Sequence, residues 1–180
     1  MDRNLYASKS VLLHRNKPKN MLQKFLAFSL LLITALSCTK TEEVVDYAAV
    51  DKKIILDYLK EKGVTKADST ASGLYYIIHN PGGAEHPTMN SKLTVNYEGY
   101  FTDGFLFDAS RLRGGPSTFA LRGVVAGWQE GLQLIGAGGK ITLLIPSALG
   151  YGPASAGKIP ANSVILFNID LISFTGDVVE

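Results

Sequence analysis

The sequence predicts an α+β fold, a strongly twisted antiparallel sheet wrapped around one short helix. Apolar side chains alternate with a period of two in several segments between residues 73 and 174, which indicates half-buried strands. Within that range only Val124 to Ile135 has helical spacing. The chain has 180 residues, of which 46% are hydrophobic, so one domain with a substantial core and short appendages is expected.

The first 37 residues are predicted to be a targeting segment, with Met21 as an alternative start. Lys24 precedes an apolar run from Phe25 to Leu36, which is short for a permanent membrane span. The run ends at Cys38, the only cysteine, so no internal disulfide can form. This arrangement resembles a bacterial lipoprotein signal and implies that the thiol of Cys38 is lipidated. An ordinary secretory peptide is the alternative.

Lipidation would place the protein on a membrane of the bacterial cell envelope. The outer membrane is favoured, and whether the periplasmic or the surface face is used stays open. Residues 38–50 are then a lipidated tether, which is polar and carries the acidic pair Glu42 and Glu43.

Residues 51–69 are predicted to be an N-terminal helix and a linker, with Gly63 ending the helix. Helical spacing places four apolar residues on one face: Ile54, Ile55, Tyr58 and Leu59. This stripe packs on the protein's own domain in the favoured interpretation and on a second copy in the other.

Residues 70–176 are predicted to form the sheet domain, and residues 177–180 a tail. Strands are expected over residues 74–79, 92–101 and 139–146, around Phe107 and Phe119, and over 162–174. Residues 147–161, rich in Gly, Ala and Pro, form a long loop. Gly136 is expected to cap the central helix.

Charge argues against a nucleic-acid partner. Six of the 18 basic and one of the 16 acidic residues precede Cys38, so the chain from Cys38 onward has 12 and 15, a net charge of −3. Such a domain lacks a basic footprint for phosphates.

Several catalytic classes lack their residues. The three histidines have no Cys or carboxylate at metal-ligand spacing, so no metal or cofactor is predicted. The glycines before Lys140 lead into a strand, whereas a phosphate loop needs a helix N-terminus. A nucleophile elbow of the type G-x-S-x-G is also absent from the sequence.

The distinctive feature is a series of aromatic and aliphatic residues around one carboxylate. The series consists of Tyr97, Phe107, Asp108, Phe119, Val124, Val125, Trp128, Tyr151, Ile159 and Phe167. Because these residues fall on different elements, only a curved sheet could bring them together. They would then form an apolar pocket with a phenol and a carboxylate at its edge, suited to an uncharged ligand with amide groups.

Five motifs in order resemble the FKBP-type peptidyl-prolyl isomerases. They are Val95–Gly99, Asp103–Gly104 with Phe107–Ser110, Gly123–Leu132, Ile145–Pro146 with Tyr151–Gly152, and Ile159–Ser163 with Leu166–Phe167. The resemblance covers residues 73 to 174. It implies cis/trans isomerisation of X-Pro bonds, with proline-containing peptides as partners. Together with the predicted envelope location, it makes unfolded exported proteins the expected clients.

The resemblance also implies the roles of the residues. It assigns catalysis to Tyr97, Phe107, Asp108 and Tyr151, and substrate binding to Phe119, Val124, Val125, Trp128, Ile159 and Phe167. Two departures, Ser117 where a second wall aromatic is common and Lys158 where an apolar residue is frequent, predict altered peptide preference and weak binding of macrolides such as rapamycin.

Two other functions stay open at this point. One is a non-catalytic binding or chaperone module of the envelope with the same fold. The other is a structural lipoprotein whose helix over residues 51–62 mediates assembly.

Overall fold

The computed structural model describes residues 45–176. The predicted targeting segment, the lipidation site Cys38, most of the tether and the tail 177–180 lie outside these residues. Within them the α+β architecture predicted from the sequence is confirmed. In this part of the chain, no helix has the length and apolar character needed to cross a membrane.

Seven antiparallel strands form one sheet. They are β1 (Asp68–Ser69), β2 (Tyr75–Asn80), β3 (Lys92–Phe101), β4 (Leu106–Ala109), β5 (Ser117–Ala120), β6 (Lys140–Ile145) and β7 (Ile165–Thr175). The order across the sheet is β1-β2-β6-β7-β3-β4, and β5 also pairs with β3. The short strand β1 had no signal in the sequence.

Strand β3 pairs with three other strands of the sheet. Its whole length pairs with β7, while its first half pairs with β5 and its second half with β4. Leu93, Val95 and Tyr97 are buried on one face of β3, as the alternation predicts. That face belongs to the main core.

The central helix, α2 (Ala126–Gly131), packs closely against β6. A β-carbon on Gly127 would lie 2.6 Å from the side chain of Ile145, and one on Gly131 would lie 2.5 Å from that of Leu143. Glycine at both positions therefore allows the helix to approach the sheet, at the cost of its own helix propensity. Tight packing of this kind fixes where the side chains of α2 point.

The predicted helix over Val124 to Ile135 was too long. Only Ala126–Gly131 is α-helical, and Leu132–Leu134 form a 3-10 turn that ends at Ile135. Gly136 does not cap it with a positive φ. Glycine is needed at 136 because a β-carbon there would collide with the backbone carbonyl of Gly83.

The N-terminal helix, α1 (Tyr47–Glu61), begins four residues before the predicted start at Asp51. Asp46 caps it, because its carboxyl accepts a hydrogen bond from the backbone N–H of Ala49 at 3.2 Å. The helix therefore occupies the last residues of the predicted tether. Lys62 and Gly63 follow its end, as expected.

Helix α1 packs on its own domain and covers the face of the sheet opposite the main core. Ile55 and Leu59 are buried there, and Ile54, predicted to share their face, is exposed. Ile55 and Leu59 form a second hydrophobic cluster, separate from the main core, with Leu144, Val164 and Leu166. Strands β6 and β7 are thus covered on both faces, which explains why Leu144 and Leu166 are buried although the alternation directs them away from the main core.

Candidate active site

An interlocked group of aromatic rings forms the floor of the candidate site. Trp128 of α2 lies edge-on to Tyr97 of β3 at 5.3 Å between ring centroids, and to Phe167 of β7 at 5.1 Å. Phe119 of β5 completes the group, 5.9 Å from both Trp128 and Tyr97. Edge-to-face pairs in this range are favourable beyond the area they bury, so the rings stabilise one another in this arrangement.

The floor is also apolar and largely buried. Trp128 and Phe167 are only 4% and 5% exposed. The indole N–H of Trp128 is buried and has no hydrogen-bond partner within residues 45–176. The indole therefore contributes to this face of the core through its ring contacts.

Glycine at position 99 of β3 leaves room for two aromatic rings of the site to meet. A β-carbon on Gly99 would lie 2.7 Å from the rings of both Phe107 and Phe167. With no side chain in the way, these rings meet at right angles with centroids 5.5 Å apart. Phe107 from β4 thus extends the aromatic surface beyond the floor.

The polar edge is built around Asp108, the residue after Phe107. Its Oδ2 accepts hydrogen bonds from the phenol of Tyr97 and from the guanidinium of Arg113, both at 2.8 Å. Its Oδ1 accepts the backbone N–H of Ala109 at 2.9 Å. The carboxyl is therefore engaged on both oxygens by groups of the protein.

This network shifts the pKa values of its members in opposite directions. Burial alone would raise the pKa of Asp108, but hydrogen bonds from Arg113 and Tyr97 outweigh it and hold the pKa below the ordinary value. Burial, together with the hydrogen bond to Asp108, raises the pKa of Tyr97 to about 12. At neutral pH Asp108 is therefore ionised, and Tyr97 is a neutral phenol that donates to it.

Tyr151 stands on the loop between β6 and β7 and is 40% exposed, unlike the floor. Its phenol lines the same cleft as Asp108, yet it donates no hydrogen bond to the carboxylate. Burial of the phenol and the negative charge of Asp108 raise its pKa. At neutral pH it is thus a protonated donor available to a ligand.

These side chains line two adjoining clefts. The first, of about 280 Å³, is lined by eight of the ten residues proposed from sequence: Tyr97, Asp108, Phe119, Val124, Val125, Trp128, Tyr151 and Phe167. The second, of about 290 Å³, adds the other two, Phe107 and Ile159. Asp108, Arg113, Tyr151 and Phe167 line both. The fold brings all ten residues together, and their individual roles stay predictions.

Arg113 lines both clefts, and the sequence analysis did not assign it to the site. It is the last residue of a 3-10 turn, Ser110–Arg113, that brings its side chain back to Asp108, five residues earlier. The only sequence signal was the occurrence of two arginines, Arg111 and Arg113, shortly after the carboxylate. The other arginine pairs with Glu98, outside the site.

The two departures noted in the sequence occupy different positions. Lys158 is exposed and lines the second cleft beside Ile159, so it adds a positive charge to that rim. Ser117 begins β5 opposite Val95 and lines neither cleft. The wall on the Ser117 side is therefore formed by Phe119 alone from this strand.

Chemically, the arrangement combines a buried aromatic floor, a neutral phenol donor and a carboxylate whose two oxygens already accept hydrogen bonds from the protein. It can bind an uncharged ring and hydrogen-bond a neighbouring carbonyl. A sequence model of the FKBP-type peptidyl-prolyl cis-trans isomerases matches residues 83–172, half of the chain. The chain belongs to the FKBP-type peptidyl-prolyl cis-trans isomerase family.

Individual members of this family are similar over most of the described region. The chain is 50% identical over 112 residues to the FKBP-type peptidyl-prolyl cis-trans isomerase FkpA of Buchnera aphidicola, an alignment that covers 62% of this chain and 43% of that protein. The chain spans about half the length, or less, of the curated relatives it matches.

Solved structures of FKBP-type proteins share the fold. The crystal structure of FkpA from Escherichia coli has a TM-score of 0.65 and 34% identity, over 90% of this chain and 75% of that one. A peptidyl-prolyl cis-trans isomerase from Pseudomonas syringae has a TM-score of 0.61 and 31% identity, over 73% of this chain and 97% of that one. These similarities confirm the predicted fold class.

Proposed function

We propose that this protein catalyses cis/trans isomerisation of X-Pro bonds in exported proteins. The observation that carries the proposal is a cleft floored by buried aromatic rings with the phenol donor of Tyr151 at its edge. A proline ring fits such an apolar floor, and the carbonyl before it lies within reach of a donor at the rim.

The reaction needs little beyond such binding. The barrier to rotation about a peptide bond is about 18–20 kcal/mol, because resonance favours the planar amide. In the twisted transition state the nitrogen lone pair no longer delocalises, and the amide is less polar. The apolar floor therefore disfavours the planar form more than the twisted one. A thousandfold acceleration requires only about 4 kcal/mol of such selective stabilisation.

The polar residues act by positioning in this mechanism. Asp108 accepts hydrogen bonds from Tyr97, Arg113 and Ala109, and its lowered pKa makes it a poor base at neutral pH. Its role is to hold the ring of Tyr97 in the floor and the guanidinium of Arg113 at the rim. Tyr151 holds the substrate carbonyl without giving up its proton, consistent with its raised pKa.

A direct test is a protease-free isomerisation assay on the purified full chain with short X-Pro peptides. We expect catalysis in the parent and a clear loss in Tyr151→Phe and in Asp108→Ala while both variants stay folded. Arg111→Ala is a matched control, because Arg111 contacts Glu98 and lines neither cleft. A folded parent that accelerates no peptide would refute the enzymatic proposal.

A second candidate function is a binding or chaperone module without turnover. It is favoured by two exposed apolar side chains: Leu112, which precedes the cleft residue Arg113 in the chain, and Phe105, which stacks on Phe101. Such a surface can hold an unfolded chain. Suppression of aggregation that survives Tyr151→Phe but is lost in Leu112→Ser together with Phe105→Ser would support this function.

For location, we propose attachment to the bacterial envelope through a lipid on Cys38, with the outer membrane favoured. Support comes from the sequence around Cys38, which ends an apolar run after a basic residue. Acyl chains stabilise membrane attachment by about 0.8 kcal/mol per buried methylene. Metabolic labelling with a fatty acid should mark the parent and leave Cys38→Ala unlabelled. A labelled Cys38→Ala would contradict the proposal.

We also propose that macrolides such as rapamycin bind weakly. The cationic Lys158 at the rim of the second cleft disfavours an apolar ring system there. Trp128 is the only tryptophan, so its fluorescence reports ligand binding to the floor. Lys158→Ile should bind the macrolide more tightly than the parent, and equal affinity would remove this explanation.

A further inference from the structure

A buried carboxyl in α1 contacts the start of the loop that carries Tyr151. Asp51 is only 1% exposed. Its Oδ2 accepts two hydrogen bonds from Ser147, one from the backbone N–H at 2.8 Å and one from the hydroxyl at 2.6 Å. These are among the few side-chain hydrogen bonds that join α1 to the domain. Asp51 lies outside residues 83–172, the part matched by the family.

Ser147 passes this constraint on to Tyr151. It begins the 3-10 turn Ser147–Leu149 that follows β6. Its carbonyl oxygen accepts the N–H of Gly150 at 3.0 Å and the N–H of Gly152 at 2.8 Å. Gly150 and Gly152 are the two residues that flank Tyr151, so one peptide group fixes the backbone on both sides of it.

The carboxyl of Asp51 is not explained well by stability alone. Its other oxygen, Oδ1, is buried and has no hydrogen-bond partner within residues 45–176. Burying an unpaired oxygen is unfavourable, and its neighbours Ile55 and Leu59 show that apolar residues pack well on this face. A role in orienting Ser147 accounts for an acceptor at this position.

We infer that Asp51 is a positioning residue for catalysis, which acts through Ser147 to hold the phenol of Tyr151 at the rim. The inference rests on the proposed isomerase function, in which Tyr151 holds the substrate carbonyl. Helix α1 lines neither cleft, yet under this inference it helps to set the geometry of the site through Asp51 and Ser147. Small displacements of a positioned group are costly to rate.

The test begins with kcat/KM for X-Pro peptides in the full chain. Asp51→Ala should lower it about fivefold, which is less than the roughly tenfold loss expected when the Tyr151 hydroxyl itself is removed. Asp51→Asn keeps an acceptor for Ser147 and should restore most of the activity. Ser147→Ala removes only the hydroxyl bond and should lie between the two variants.

Two control variants in α1 separate positioning from stability. Leu59→Ala destabilises the same contact of the helix with the sheet but touches no hydrogen bond of Ser147. Asp57→Ala removes an exposed carboxyl that pairs with Lys53. Both should keep the parent kcat/KM when assayed fully folded. A loss in Leu59→Ala equal to that in Asp51→Ala would overturn the inference.

A double variant tests the route through Tyr151. When Tyr151 is already Phe, Asp51→Ala should cost less than twofold, because the hydroxyl that it positions is gone. Full additivity of the two losses would show that Asp51 affects the site by another route and would overturn the inference.

Amide hydrogen exchange gives a readout that does not depend on activity. In Asp51→Ala the N–H groups of Gly150 and Gly152 should exchange at least about tenfold faster by NMR than in the parent. In Leu59→Ala the ratio of their exchange rates to those of amides in the core strands should stay as in the parent. Unchanged exchange in Asp51→Ala would overturn the inference. If the parent proved inactive, the proposed function would fail, while exchange would still decide whether Asp51 holds the loop.

Discussion

The floor and the rim of the cleft differ in how their side chains are buried. The floor consists of Trp128, Tyr97, Phe119 and Phe167, which contact one another and belong to or pack against the main core. The rim consists of Asp108, Arg113, Tyr151 and Lys158, which are partly or largely exposed. At the floor, the same residues therefore form both the binding surface and the folding core. At the rim, the residues of the binding surface lie outside the core.

Truncating the floor should give the largest effect of all. Trp128→Ala removes a ring that contacts both Tyr97 and Phe167, so we expect the free energy of unfolding to fall by about 3–5 kcal/mol. Urea denaturation measures the change. Trp128→Phe should retain most of the stability. A loss below about 1 kcal/mol in Trp128→Ala would show that the floor is not part of the folding core.

Changing the rim should separate activity from folding. Tyr151→Phe removes a phenol hydroxyl that donates no hydrogen bond within residues 45–176. Because this hydroxyl holds the substrate carbonyl in the proposed mechanism, kcat/KM should fall up to about tenfold. The free energy of unfolding should stay within about 0.5 kcal/mol of the parent. A comparable loss of stability, measured in the same urea titrations, would place Tyr151 with the floor instead.

Asp108 connects floor and rim, so its effect should depend on pH. Asp108→Asn should lower the free energy of unfolding by about 1 kcal/mol at pH 7, since Arg113 loses its partner. The folded-state pKa of Asp108 lies below its ordinary value. The advantage of the parent is therefore full above about pH 4, the ordinary Asp pKa, and lost as pH falls through the depressed value.

Urea denaturation of the parent and of Asp108→Asn at pH 7, 4 and 3 measures this dependence. Asp103→Asn serves as a control carboxylate, because Asp103 lies in the β3–β4 turn and bonds only a backbone N–H. A difference between parent and Asp108→Asn that grows toward pH 3 would contradict the assignment.

The smallest effect is expected at Lys158. Lys158→Glu should change the preference between peptides with Glu or Lys beside proline by less than about fivefold, and added salt should reduce the change. Lys66→Glu makes the same charge change at an exposed position that lines neither cleft. Equal shifts in the two variants would show a long-range charge effect without a specific role for Lys158.

Much of the fold and of the candidate site was predictable from local sequence patterns. The alternation of Leu93, Val95 and Tyr97 fixed the buried face of β3, and the ten proposed site residues converge as the family motifs imply. The start of α1 was wrong because Asp46, whose side chain caps the helix, was taken as part of the tether. The site partner Arg113 was missed because no periodicity marks a residue that returns through a 3-10 turn.

The sequence by itself determined six of the seven strands in outline, the face of β3 that is buried, and the motifs of an FKBP-type pocket. Side-chain alternation and glycine placement carry that information locally. Only the tertiary structure decided that α1 covers the far face of β6 and β7, that Arg113 pairs with Asp108, and that Asp51 meets Ser147. Asp51 and Ser147 are 96 residues apart, and contacts at that separation depend on the path of the whole backbone.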